Sequence, residues 1–320
     1  MKGFDEKWKD FPDYILGITK EIWEDRQLHT LNRYYAKDVI VRTPLTISQG
    51  NTGVINSTME VLAEFPDRTL LGEDVIWSGD DESGLYSSHR IISTATHRET
   101  NKKIFFRIIA DCHALNNQID DEWLIRDHGA IAKHLGMTAK EQAIKAIEES
   151  GGLEQCPFPF TPEKDFQGPY TGVGNDNEWG EKYQSILQRI MNAEFSVIPQ
   201  EYDRACLAEY PSGTQACSHL QIDDFWMRLR SAFPNAEFKI HNRIGRNDEM
   251  MSPRAAIRWS LQGKHEGYGH FGAPTGAQVY IMGAAHAEFG PWGVRREYVL
   301  FDEVAIWKQI LLNSRHRTNS

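Results

Sequence analysis

The chain has 320 residues, of which 40% are hydrophobic and 25% are charged, and its formal net charge is −10. This length and composition are typical of a globular protein with two domains of about 150 residues each. The negative charge argues against a nucleic-acid or anionic-membrane partner, because proteins that hold phosphates present basic surfaces.

No apolar run approaches the roughly 18 residues that span a bilayer. Residues 1–17 carry charges where a signal peptide has its apolar segment, so we expect a cytoplasmic protein. The four cysteines match no zinc or C-x-x-C spacing, and no Gly-rich phosphate loop is present. We therefore expect four free thiols, no metal and no cofactor.

The first half predicts helices followed by strands. Apolar residues recur at spacings of three and four over residues 13–36 and 51–65, and Pro66 ends the second of these helical patterns. A short helix is predicted at residues 129–135, after four strand-like runs at 69–77, 84–96, 102–113 and 118–127. This order favours an α+β domain, with helices on one face of a mostly antiparallel sheet.

The second half repeats this order after a connecting segment. Residues 138–150 predict a polar helix, and residues 151–177 are rich in Gly and Pro, as in an interdomain linker. The later helices are predicted at 179–193, 219–232 and 303–313, and the strands at 236–245, 254–264, 276–288 and 295–302. We thus predict domains at 1–137 and 178–320, joined by residues 138–177.

An internal repeat supports two related domains. An offset of 168 residues aligns Phe65-Pro66 with Phe233-Pro234, Arg90 with Arg258, Tyr34 with Tyr202 and His97 with His265. An offset of 175 then aligns Glu122 with Glu297 and Asp127 with Asp302, after an insertion in the second copy. Two such copies can pack as a pseudo-dimer, and the pattern is also compatible with a homo-oligomer.

The sequence GKHEGYGHFGAPTG at residues 263–276 resembles the G-x-H-x-G…G-x-P-T-G signature of SnoaL-like polyketide cyclases. In the first half, SSHRIISTATH and DEWLIRD resemble a variant of the same family. The resemblance implies two cone-shaped domains of the nuclear-transport-factor-2-like type, each a curved sheet wrapped around helices with an internal cavity. That superfamily contains enzymes and binding proteins, so the fold leaves the function open.

Asp127 and Asp302 are the leading candidates for catalysis. Strand alternation predicts that each shares a face with large apolar side chains, where burial would raise the pKa of the carboxyl group. The resemblance implies that an Asp at this position is the acid/base group of an intramolecular aldol closure. Both residues also precede predicted helices, so a helix-capping role is an equally good interpretation.

His97 and His265 occupy the matched histidine position of the resemblance, where a pocket histidine would orient a carbonyl group or share a proton with the Asp. A structural role in a turn remains the alternative. Strand parity assigns Glu122 and Glu297 to the outer faces of their sheets. The residues expected to line a substrate pocket are His89, Trp23, Tyr34, Trp123, Tyr202 and Tyr298.

These observations favour a cofactor-independent enzyme that acts on a small carbonyl compound by cyclisation, isomerisation or dehydration, as a lyase or isomerase. Its predicted catalytic residues are Asp302, His265, Asp127 and His97. The alternatives are a non-catalytic protein that binds an apolar small molecule, and a scaffold whose cavities are filled. The Gly-rich connection marks the second domain as the better candidate for a family-like site.

Overall fold

A computed structural model describes residues 1–172 and 174–314. The chain divides into two compact units. The first unit contains residues 1–126, 134–136 and 160–172. The second contains residues 127–133, 137–159 and the described residues from 174 onward. The segment predicted to link the domains is thus divided, because its first part packs with the second unit and residues 160–172 pack with the first.

The first half begins with helical segments and continues with strands, as predicted. Its α-helices are α1 Phe11–Thr19, α2 Leu31–Tyr34, α3 Asn51–Glu64, α4 His128–Leu135 and α5 Ala139–Glu149. A π-helical turn at Lys20–Glu24 and a 3-10 turn at Leu28–Thr30 lie between α1 and α2. The strands are β1 Tyr35–Arg42, β2 Ile47–Gln49, β3 Thr69–Asp80, β4 Gly84–Thr96, β5 Lys103–Leu115 and β6 Gln118–Arg126.

The second half has the same succession of elements. After a 3-10 turn at Pro162–Lys164, the helices are α6 Glu178–Met191, α7 Val197–Glu201, α8 Ser218–Ala232 and α9 Glu303–Asn313. The strands are β7 Tyr202–Tyr210, β8 Thr214–Cys217, β9 Glu237–Arg246, β10 Arg254–Lys264, β11 Gln278–Gly290 and β12 Gly293–Phe301. The predicted α+β fold class with two domains is therefore confirmed.

Each unit contains a mixed sheet of six strands in the described part of the chain. The strand order is β2-β1-β6-β5-β4-β3 in the first and β8-β7-β12-β11-β10-β9 in the second. Of the strand pairs in the described residues, only β1–β6 and β7–β12 are parallel. The periodicity had predicted the four long antiparallel strands of each unit, but it left β7 and β8 unassigned.

The two sheets share their irregularities as well as their strand order. The pairing of β3 with β4 skips Glu73, and the pairing of β9 with β10 skips His241, which lies 168 residues later. A second register shift falls after His113 in β5 and after Glu288 in β11, 175 residues later. Because bulges are specific local features, their coincidence supports the internal repeat.

Local sequence signals explain several helix boundaries. The side chain of Asp10 accepts a hydrogen bond from the backbone N–H of Asp13 and caps α1. Thr138 and Glu141 form a capping box at the start of α5. Phe65 and Phe233 end α3 and α8 at equivalent positions, each directly before a proline that cannot continue the helix.

Residues 160–172 form a strap on the first unit, on the face of the sheet opposite its helices. The buried Arg42 of β1 pairs with Asp121 of β6 at 2.5 Å and also with Asp165 of the strap at 2.5 Å. The other oxygen of Asp121 accepts a hydrogen bond from the backbone N–H of Tyr170. Phe160 packs on Trp123 with ring centroids 6.5 Å apart. This strap buries the outer face of β6, so both faces of that strand are buried.

Candidate functional site

The concave, helix-facing side of each sheet carries one buried glutamate, Glu122 in the first unit and Glu297 in the second. The sequence prediction that these residues lie on the outer faces is wrong. The side chain of Glu297 lies among residues of α6, β7 and α8 and is 0% exposed, whereas Glu122 is 7% exposed. Strand parity gave the wrong face because Trp123 and Ile125, on the opposite face of β6, are also buried. Burial of apolar side chains therefore does not distinguish the two faces of this strand.

Glu297 is enclosed by hydrogen-bond donors. Among the described residues, Tyr202, Tyr210 and Tyr183 donate their hydroxyl groups to its carboxyl oxygens at 2.6, 2.7 and 2.9 Å. The indole N–H of Trp226 donates to the same carboxyl group at 3.3 Å. Burial raises the pKa of Glu297, and the four donors oppose that rise. This arrangement satisfies the carboxyl group completely and leaves it no access to a ligand.

Glu122 occupies the equivalent position but keeps only one of these donors. Tyr35 donates to Glu122 Oε2 at 3.5 Å, and Oε1 accepts no hydrogen bond within the described residues. The β-sheet register pairs Tyr35 with Ile119 and Tyr202 with Val294, so Tyr35, and not Tyr34, is the counterpart of Tyr202. Burial raises the pKa of Glu122 to about 7. The carboxyl group can therefore both accept and release a proton near neutral pH.

Further polar side chains share the concave face of the first unit. His89 of β4 is 5% exposed, its Nδ1 lies 3.1 Å from the hydroxyl of Ser87, and burial lowers its pKa to about 4. The imidazole is thus neutral at pH 7 and can donate a hydrogen bond without carrying charge. Arg126, four residues after Glu122 on the same face of β6, interacts electrostatically with that carboxylate.

The second unit has apolar residues at the equivalent positions of its concave face. By the strand register, Ser87, His89 and Arg126 correspond to Ala255, Ile257 and Phe301. These three apolar side chains are fully buried in the core of the second unit. The fold therefore does not require polar groups at these positions.

Apolar side chains border the polar group of the first unit. The ring of Trp23 lies edge-on to that of Tyr35, with centroids 6.5 Å apart. Trp23 and Leu124 are only partly buried where they pack against the core of this unit. Trp23 thus packs beside Tyr35, the donor to Glu122, and its role as a pocket wall stays a prediction.

Asp127 and Asp302 lie at helix starts in the second unit and not on the concave face that carries His89. Asp302 caps α9 by accepting from the backbone N–H groups of Val304 and Ala305, and its other oxygen lies 2.6 Å from His128 Nδ1. Asp127 accepts from the backbone N–H groups of Ala130, Ser212 and Gly213. Burial raises the pKa of Asp127 to about 6. The geometry shows the capping interaction directly, and the catalytic role stays a prediction.

His97 and His265 occupy matching connections after β4 and β10. The Nδ1 atom of His97 lies 2.9 Å from the hydroxyl of Thr100, and that of His265 lies 3.1 Å from the hydroxyl of Thr275. His265 is 0% exposed and packs beside Phe233, and burial lowers its pKa. Each histidine therefore organises its own turn, and neither makes a hydrogen bond to Asp127 or Asp302 in the described residues.

The remaining predicted pocket residues lie away from Glu122. Tyr34 is buried and donates its hydroxyl to Glu21 at 3.0 Å. Trp123 lies under the strap, on the opposite face of β6. Tyr298 borders a groove of about 320 Å³ with Leu207, Cys217 and other residues of β7, β8 and β12. Of the predicted pocket residues, His89 and Trp23 lie on or beside the face that carries Glu122, whereas the sequence analysis did not include Glu122, Arg126 or Tyr35 among the candidate site residues.

Within residues 1–172 and 174–314, no cluster of three or more His, Cys, Asp or Glu side chains is arranged to hold a metal ion. The four cysteines are free thiols, and Cys217 is the exposed one. In the same part of the chain, no helix is both long enough and apolar enough to cross a membrane.

Comparison with known proteins gives a likeness of fold. No protein-family model and no curated protein matches the chain. Solved structures that resemble it include IdmH from Streptomyces antibioticus, a proposed polyketide cyclase, with 20% identity, a TM-score of 0.35 and coverage of 39% of this chain and 98% of IdmH. A SnoaL-like polyketide cyclase from Agrobacterium tumefaciens has 18% identity, a TM-score of 0.33 and coverage of 42% and 98%, respectively.

AclR from Streptomyces galilaeus, a proposed hydroxylase, has 14% identity, a TM-score of 0.33 and coverage of 43% of this chain and 83% of its own. Of these three structures, the one from Agrobacterium tumefaciens carries the SnoaL-like name, and IdmH is described as a proposed polyketide cyclase.

Proposed function

We propose that the first unit is a cofactor-independent acid/base catalyst that removes a proton next to the carbonyl group of a small organic molecule. The observation that carries the proposal is the contrast between the two equivalent glutamates. Glu297 is held by four donors. Glu122 has one distant donor and a pKa of about 7. A carboxyl group with this pKa combines a useful ionised fraction with enough basicity to abstract a proton.

The surrounding groups support the same step. Removal of the proton leaves negative charge on the carbonyl oxygen, which a positive or hydrogen-bond-donating group can stabilise. Arg126 and the neutral His89 lie on the same face as Glu122 and are suited to this role. Isomerisation and aldol cyclisation both begin with this proton transfer, so the predicted cyclase-like activity falls within the proposal.

Proton exchange tests the proposal, because the measurement does not require the natural substrate to be known. The full chain is incubated in D₂O with 4-oxo-4-phenylbutanoate, levulinate and their methyl esters, and loss of the α-proton signals is followed by NMR. We expect saturable exchange above the buffer rate for at least one of these ketones. A binding protein without catalysis would bind a ketone and leave the exchange rate at the buffer value, which would contradict the proposal.

Asp302→Asn is the matched control, because asparagine caps a helix about as well as aspartate does. We expect this variant to exchange protons at the rate of the unmodified chain. Loss of exchange with an intact fold would instead support the sequence-based assignment of Asp302 as the acid/base group.

A further inference from the structure

Two arginines of the first unit, the buried Arg68 and the partly buried Arg126, lie on the concave face without enough partners for their donors. Arg68, in the connection after α3, is 4% exposed, and its Nε donates to the hydroxyl of Ser93 at 3.0 Å. Its two terminal nitrogens have no partner in the described part of the chain. The Nε of Arg126 is buried and also lacks a partner there. Unpaired buried guanidinium groups are unfavourable in a protein interior.

The sheet register places these two arginines in neighbouring rows. Arg68 lies over the ring of Phe106 at 5.7 Å, and Arg126 is paired across the sheet with Ile108, two residues further along β5. Burial and the nearby charge of Arg126 lower the pKa of Arg68 to about 9, so Arg68 still carries positive charge at pH 7. Burial also lowers the pKa of Arg126, but an arginine side chain in a protein stays protonated. Arg126 is only partly buried, so part of its side chain remains accessible.

The nearby carboxyl group does not balance this charge. Glu122 interacts electrostatically with Arg126 but has no such interaction with Arg68 among the described residues. Glu122 is also partly protonated near pH 7, since its pKa is about 7. The concave face therefore carries excess positive charge close to the proposed acid/base group.

The second unit shows that the fold does not need these charges. The positions equivalent to Arg68, Ser93 and Arg126 are Ala236, Leu261 and Phe301, all of them buried and apolar. Replacing buried charged groups with apolar residues is often neutral or stabilising. A buried and a partly buried arginine that occur in only one unit are therefore better explained by a ligand than by stability.

We propose that Arg68 and Arg126 form an anion subsite that binds a carboxylate group of the substrate and directs its carbonyl group toward Glu122. This inference rests on the proposed function, because it identifies the class of molecule on which Glu122 acts. Arginine suits the role because its planar N–H groups match the two oxygens of a carboxylate. The predicted substrate class is a small keto acid.

Binding of paired acids and esters tests the subsite. Affinities of the full chain for 4-oxo-4-phenylbutanoate, levulinate and their methyl esters are measured by calorimetry. We expect at least one acid to bind about tenfold or more tightly than its ester, because charge-assisted hydrogen bonds are lost in the ester. If neither acid binds better than its ester, the inference is overturned, and this comparison requires no variant.

Substitution of each arginine tests whether these two side chains bind the carboxylate. Arg68→Met and Arg126→Met should each weaken binding of the preferred acid by roughly tenfold to a hundredfold and leave binding of its ester nearly unchanged. Arg98→Met, at an exposed position of the same unit, is the control and should bind like the unmodified chain. If both Arg68→Met and Arg126→Met still bind the acid as tightly as the unmodified chain, the anion binds elsewhere and the proposed subsite is contradicted.

The two proposals can fail separately. Glu122→Gln should retain the preference for the acid over the ester while losing proton exchange. Arginine-dependent binding of the acid without any exchange would leave the subsite standing and refute the proposed catalysis. Proton exchange that depends on Glu122 but is equal for acid and ester would support the proposed catalysis and refute the subsite.

Discussion

Glu122→Gln should reduce the rate of α-proton exchange by roughly 10² to 10⁴, the usual contribution of a general base. Glutamine has nearly the same shape and can accept the hydrogen bond from Tyr35, but it cannot take up a proton. The measurement is the NMR exchange rate of the most reactive ketone at pH 8, where the carboxyl group of the unmodified chain is mostly ionised. An unchanged rate would show that Glu122 is not the base.

The stability of the same variant separates lost chemistry from a damaged fold. Because burial raises the pKa of Glu122 from 4.5 to about 7, the unfolded chain releases this proton at lower pH than the folded chain does. Below pH 4.5 both states are protonated, and the group contributes nothing to stability. Between pH 4.5 and 7 ionisation increasingly favours the unfolded state, and above pH 7 the loss reaches its full value of about 3 kcal/mol.

Glu122→Gln removes this penalty. The variant should therefore be more stable than the unmodified chain at pH 8, by up to about 3 kcal/mol, and nearly equal to it at pH 4. Chemical denaturation at both pH values measures the difference. A variant that is less stable at pH 8 would argue against the raised pKa.

Glu297→Leu should destabilise the second unit by roughly 3 to 5 kcal/mol, the usual result of breaking a buried polar network. The substitution removes the acceptor of three tyrosine hydroxyls and of the Trp226 indole. These donors are buried, so water cannot replace the lost hydrogen bonds without opening the core. Urea denaturation at pH 5, followed by tryptophan fluorescence, measures the loss.

Glu122→Leu at the equivalent position is the matched control. It removes one acceptor whose single donor lies 3.5 Å away, so the loss at pH 5 should be below about 1 kcal/mol. Equal losses for the two leucine variants would contradict the distinction between a structural glutamate and a functional one.

Much of the fold is predictable from the sequence because the signals are local. Phe65-Pro66 and Phe233-Pro234 mark helix ends, and the alternation in the long strands fixes their extent. The parallel pairing of β1 and β7 cannot be predicted in this way, since their partners, β6 and β12, lie far along the chain. The position of the strap at residues 160–172 cannot be predicted from local signals either, because the strap is held by contacts with the distant residues Arg42 and Asp121.

The candidate site is harder to predict, for a physical reason. The alternation of side chains along a strand predicts which residues share a face. It does not predict which face is concave when both faces are buried. Asp127 and Asp302 were counted with the strands, whereas the strands end one residue earlier, at Arg126 and Phe301. A usable signal was present, because the repeat aligns Glu122 with Glu297 while the surrounding polar residues differ between the two copies.

Burial holds the pKa of Glu122 at about 7, so its carboxyl group is close to half-ionised at neutral pH. The most direct test is an NMR titration of the chain labelled with ¹³C at the glutamate carboxyl carbons, with Glu122→Gln identifying the Glu122 signal. We predict a titration midpoint close to pH 7. A midpoint near the ordinary glutamate value of 4.5 would contradict the assignment of Glu122 as the acid/base group.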